Sequence, residues 1–131
     1  MSPIRGKKGK IFTYEEANSL LPCLRPLLAR LAEERGRQRT MQEEIRRAAD
    51  RASLGGGSRA GADYVASLTR MNACLQEVMA LGVELKDQDK GLCDFPCLRE
   101  GRRVYLCWHP EEDSIRYWHE LDGGFIGRQP L

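Results

Sequence analysis

The sequence predicts an α+β fold: a long, kinked, antiparallel helical hairpin, then a three-stranded antiparallel β-meander and an ordered C-terminal tail. Apolar residues recur at alternating four- and three-residue steps on both sides of a glycine-rich break at 53–61, the pattern of two helices sharing a seam. Beyond residue 90 the spacing changes to short alternating runs divided by turn residues, which reads as strands. The last stretch, 118–131, packs Trp118, His119, Glu120, Asp122, Phe125 and Arg128 among glycines, a composition unlike that of a frayed terminus. A chain of 131 residues supports one core, so 1–131 is read as a single domain.

Residues 1–11, with Arg5, Lys7, Lys8 and Lys10 spaced by Gly6 and Gly9, read as a flexible basic arm. Thr13 and Glu16 have the spacing of a capping box, with Phe12 placed as its apolar staple, so a helix starts at Tyr14 and is predicted over 14–52. Its seam runs through Leu20, Leu24, Leu27, Leu31, Glu34, Gln38, Met41 and Ile45, and is polar in the middle. Pro22 and Pro26 each remove a backbone donor and should kink or break its start. A Gly-rich loop is predicted over 53–62 and a second helix over 63–86, its seam formed by Tyr64, Leu68, Met71, Leu75, Val78, Gly82 and Leu85. The shorter second helix ends beside about Leu28, which leaves the start of the first to cover the strands.

The meander and tail occupy 91–131, with strands predicted at 93–98, 103–108 and 114–119. A two-residue turn at Glu100-Gly101 sets Phe95 opposite Leu106, and a four-residue connection after His109 sets Leu106 opposite Tyr117. One face then collects Cys93, Phe95, Cys97, Val104, Leu106, Trp108, Ile115 and Tyr117 as core. The other carries Asp94, Pro96, Tyr105, Cys107, Arg116 and Trp118, which needs a cover. The tail, through Phe125 and Ile126, is the expected one, with Arg128 clamping Glu15, Asp94 or Glu120.

Lys plus Arg exceed Asp plus Glu by only 21 to 19, and the six arginines of 33–51 are interleaved with five acids, so nucleic acid is not an expected partner. No apolar run approaches the roughly 18 residues of a membrane span, and the first residues lack an apolar leader; a cytoplasmic location is expected. Five cysteines without a CxxC pair read as thiols.

Phe12-Thr13-Tyr14-Glu15-Glu16-Ala17-Asn18 with Leu20-Leu21-Pro22, Lys86-Asp87, Gly91-Leu92-Cys93-Asp94-Phe95-Pro96, Val104-Tyr105-Leu106-Cys107-Trp108 and the terminal WHELDGGFIGRQPL resemble family 2203 among the domains of unknown function. The resemblance runs nearly end to end and implies a prokaryotic origin. Some relatives carry a cell-division-inhibitor label. His109 departs from the family pattern, in which a basic residue follows the Cys-Trp pair. The resemblance supplies no mechanism.

Two groups of residues could carry function. His119, Glu120 and Asp122 offer an imidazole and two carboxylates suited to a divalent transition metal, although successive strand residues face opposite ways, so His119 and Glu120 share an ion only if the strand ends there. Asp94, Tyr105, Trp118 and Arg128 are the expected contacts to a partner or ligand. Cys107 lacks the cationic setting of a nucleophile, with Asp94 set against Arg116, and Gly123-Gly124 with Gly127-Arg128 lacks the order of a phosphate loop. The leading expectation is a small, cytosolic, non-enzymatic binding or interaction protein with an unidentified protein partner, no cofactor, and self-association as a homodimer. The alternative is a divalent-metal-binding protein, or a metal-dependent enzyme, centred on His119.

Overall fold

In the computed structural model residues 9–50 and 59–131 are described, and side chains from Gly61 onward in the second segment. Arg5, Lys7 and Lys8 of the basic arm, residues 51–52 of the first predicted helix and 53–58 of the predicted loop lie outside them. The elements are α1 (Tyr14–Ser19), α2 (Leu21–Asp50), α3 (Arg59–Ala80), β1 (Glu84–Asp87), β2 (Leu92–Arg99), β3 (Arg102–Trp108), β4 (Tyr117–His119), a 3-10 turn (Phe125–Gly127) and β5 (Gln129–Pro130). The α+β class is thus as predicted, with the long helices first and an antiparallel sheet after them.

The capping box forms: Thr13 Oγ1 accepts from the Glu16 N–H at 3.0 Å and Glu16 Oε1 accepts from the Thr13 N–H at 2.8 Å. Phe12 turns to the sheet. Its N–H donates to the Pro96 carbonyl at 2.7 Å, and its ring meets Phe95 edge-on at 5.5 Å. Lys10 leaves the predicted arm to pair with Glu16 at 3.5 Å.

The single helix predicted over 14–52 is two. The break falls at Leu20, because Pro22 cannot donate to Asn18 and its ring crowds that carbonyl. Pro26 does not interrupt α2; it lies on the exposed side, where water can serve the carbonyl it leaves unpaired. The buried stripe of α2 is Leu21, Leu24, Leu27, Leu28, Leu31, Glu34 and Gln38, close to the predicted seam.

The second helix also differs from the expectation of 63–86. α3 begins within the predicted loop, at Arg59, and ends at Ala80, where Gly82 adopts φ +88° and the Gly82 N–H caps the Met79 carbonyl at 2.9 Å. Leu85, assigned to the seam, belongs instead to β1. Contacts pair the helices in antiparallel order: Gln42 with Tyr64, Gln38 with Ser67, Glu34 with Arg70, Arg30 with Glu77. Ser67 replaces Leu68 in the seam, since the buried Glu34 carboxylate accepts from Ser67 Oγ at 2.7 Å while Leu68 is 37% exposed.

The meander has five strands, in the order β1-β2-β3-β4-β5, all neighbours antiparallel. β2 and β3 have the predicted register, Phe95 opposite Leu106. β4 does not: Leu106 faces Trp118 and Cys107 faces Tyr117, one residue from the expectation. The cause lies between His109 and Arg116, where the predicted strand from 114 is absent. There the Trp108 indole donates to the Glu112 carbonyl at 2.8 Å, Arg25 donates to the Pro110 and Glu112 carbonyls at 2.7 and 3.0 Å, and Asn18 Oδ1 accepts from the Ile115 N–H at 3.0 Å. These anchors consume chain that a short hairpin would have paired. A one-residue slip exchanges faces: Trp118 becomes core and His119 takes the place beside Tyr105. Buried residues of α1, α2, α3 and the inner sheet face form one cluster, including Leu24, Leu31, Val78, Phe95, Leu106, Trp108 and Trp118.

Candidate metal centre

The outer face of the sheet holds a buried polar group built from three neighbouring strands. Asp94 on β2 stands opposite Cys107 on β3, and His119 on β4 pairs with Tyr105, two residues along β3 on the same face. Asp94, Cys107 and His119 are 2%, 0% and 2% exposed. One ligand atom from each lies within 4.8 Å of the other two.

The imidazole is fixed at both ends. His119 Nδ1 is 2.6 Å from the Glu120 carbonyl oxygen, an acceptor, so Nδ1 carries the proton. Nε2 is left facing Asp94 Oδ2 at 3.0 Å. A catalytic triad would need the acid and the nucleophile on different ring nitrogens. Here Nε2 faces the carboxylate, and one ring nitrogen lies within 4.8 Å of both the carboxylate and the thiol.

Burial pushes the Asp94 carboxyl above its ordinary range, against the pull of His119. It also pushes the Cys107 thiol up to about 12, with Asp94 adding to the effect and Arg128 opposing it. Asp94 Oδ1 is buried with no hydrogen-bond partner among the described residues. Such an atom costs stability unless something binds there. The nearby cations are already matched: Lys86 pairs with Glu84 at 2.8 Å and Arg128 with Glu112 at 2.7 Å, while the Tyr105 hydroxyl donates to Glu84 at 3.0 Å. Among the described residues neither a lysine nor an arginine pairs with Asp94, whose charged partner can only be His119.

The sequence-derived candidates separate accordingly. The structure brings His119, Asp94 and Tyr105 together and places Arg128 beside Cys107, its Nη2 donating to the Cys107 carbonyl at 3.2 Å. It does not bring Glu120 or Asp122 to the imidazole: the Glu120 carboxylate pairs with Arg102, and Asp122 is exposed. Trp118 points to the opposite, inner face. The tail covers differently from the expectation. Ile126 is 99% exposed and Phe125 52%, and Arg128 is the covering group, stacked 4.2 Å from the Tyr117 ring and bonded to Glu112 rather than to Glu15, Asp94 or Glu120. The register that the sequence predicts for β2 and β3 already sets Cys107 opposite Asp94, and this was the signal for the thiol's place in the group.

The profile of a family described as an uncharacterized conserved protein (DUF2203) matches residues 10–131. The chain belongs to that family. No curated protein and no solved structure matches it. Within this DUF2203 chain the matched span takes in the capped helix start, all five strands and the Asp94–Cys107–His119 group.

Proposed function

We propose that the chain is a small binding protein whose ligand is a divalent transition metal, zinc being the best fit, held by Asp94 carboxylate, Cys107 thiolate and His119 Nε2. The observation that carries this reading is the convergence of those three donors, all buried, around an orphaned Asp94 oxygen. Carboxylate, thiolate and imidazole are the zinc donors, and a ring N–H given to a backbone carbonyl is the usual orientation of a ligating histidine. A tetrahedral ion spaces its donors roughly 3.4–3.8 Å apart; side-chain rotation would open the 3.0 Å pair of Nε2 and Asp94 Oδ2 slightly and bring the rest of the group, now within 4.8 Å, closer by about 1 Å. Three protein donors leave one position for a further ligand. The cytoplasm, where thiols stay reduced, suits Cys107.

Titration of EDTA-treated protein with zinc, read by calorimetry, tests this, with cobalt as a spectroscopic stand-in. One ion per chain is expected, with a thiolate-to-cobalt charge-transfer band lost in Cys107→Ser and binding at least tenfold weaker in His119→Gln. No binding at tens of micromolar metal, or binding indifferent to both substitutions, refutes the reading.

A further inference from the structure

The helices leave one end of the inner sheet face uncovered, and the chain entering α1 walls it into a groove. Its volume is about 410 Å³, within the ~300–1,000 Å³ of small-ligand pockets. Phe12, Tyr14, Val104, Leu106, Trp118 and Leu131 line it, with Arg99 at the rim. The Arg99 guanidinium lies 4.7 Å from the Trp118 ring centroid, and among the described residues no carboxylate pairs with it. By contrast Arg102, its partner across the β2–β3 turn, is taken by Glu120. A half-buried guanidinium over an indole, with no hydrogen-bond or ion-pair partner among the described residues, can receive a planar anion. The walls behind it are mostly apolar, with Thr13 and Tyr14 the polar side chains beside Arg99.

We infer that this groove binds a small amphiphilic carboxylate, its apolar body against Trp118 and Leu106 and its carboxylate on Arg99. The site is distinct from the metal group, because Trp118 and His119 project from opposite faces of β4. A long apolar chain without a charge would use the walls and forgo Arg99; a bare anion would use Arg99 and forgo the walls. The two requirements together define the ligand.

The test is calorimetric titration of the full chain with decanoate and, separately, with decanol, the oligomeric state being followed by sedimentation velocity. One decanoate per chain is expected, with decanol weaker by about tenfold or more. Arg99→Gln, which removes a half-exposed side chain and should fold normally, should reduce decanoate to the level of decanol. Cys97→Trp should fill the groove and abolish both. Equal affinity for the two probes, decanoate binding that survives Arg99→Gln, or no binding at all overturns the inference. So does a dimer that Leu98→Glu dissociates and that excludes decanoate, since a second copy would then own the groove.

Discussion

Replacing Arg128 by alanine should destabilise the fold by about 3 kcal/mol, and the figure can be built from its contacts. Arg128 Nη2 donates to Glu112 Oε1 at 2.7 Å and to the Cys107 carbonyl at 3.2 Å, with the side chains of the ion pair only 13% and 19% exposed. A hydrogen bond to a charged partner is worth about 1.5–3 kcal/mol. The guanidinium also lies 4.2 and 4.7 Å from the Tyr117 and Phe125 rings, adding about 0.5–1 kcal/mol in a setting still partly wet. Glu112 keeps one donor, the His109 N–H at 2.7 Å, which limits the penalty of its lost partner. For a domain of this size about 3 kcal/mol corresponds to roughly 10–15 °C in Tm, read by circular dichroism and by urea unfolding. Arg128→Lys keeps the charge but not the stacked fork and should lose about half as much. Ile126→Ala, at a fully solvated position on the same tail, should be silent. If Arg128→Ala melts within about 1 kcal/mol of the parent, or a double-mutant cycle with Glu112→Ala gives no coupling, the tail is not held as described.

Two further perturbations probe the frame. Glu34 is held below its ordinary value of 4.5, first by the hydrogen bond from Arg70 and then by that from Ser67; its contribution is therefore complete above that value and is lost as the pH falls through the lower folded-state value. Glu34→Gln should lower the unfolding free energy near pH 7 by about 1 kcal/mol or more, read from urea unfolding, and flatten the acid limb below the ordinary carboxylate value; an unchanged limb would show that Glu34 is not the titrating brace. Gly91 has φ +73°, and a Cβ there would stand 2.8 Å from Pro110 Cγ, so Gly91→Ala should cost more than the about 1–2 kcal/mol of left-handed strain alone. Gly101→Ala, at φ +76° with open space around it, should cost no more than that strain, and equal urea midpoints for the two would refute the contact.

Local signals in the sequence carried the capping box, the α2 stripe and the β2–β3 register, because each is set by residues within a few positions of one another. β1 was hidden: Glu84-Leu85-Lys86-Asp87 continues the helical spacing, and only the positive φ of Gly82 stops the helix before it. β4 slipped because its register is set by Arg25 and Asn18, far away in sequence, holding the preceding loop. That slip is why Trp118 and His119 exchanged faces, and why Asp94 and Cys107 were correctly set side by side while their third neighbour was not.

The tethering of the loop between His109 and Arg116 bears on how the chain can change. Ordinary surface loops absorb insertions and deletions at little cost. This one is tied to Arg25, Asn18, Trp108 and Arg128, and β4 enters the sheet straight after it. Gaining or losing a single residue would turn Trp118 outward and His119 inward, emptying a core position and dismantling two prospective binding sites in the same event. Within this loop the exposed side chains of Glu111 and Asp113 are open to variation, but its length is not, and a library built on this scaffold should diversify those positions by substitution alone.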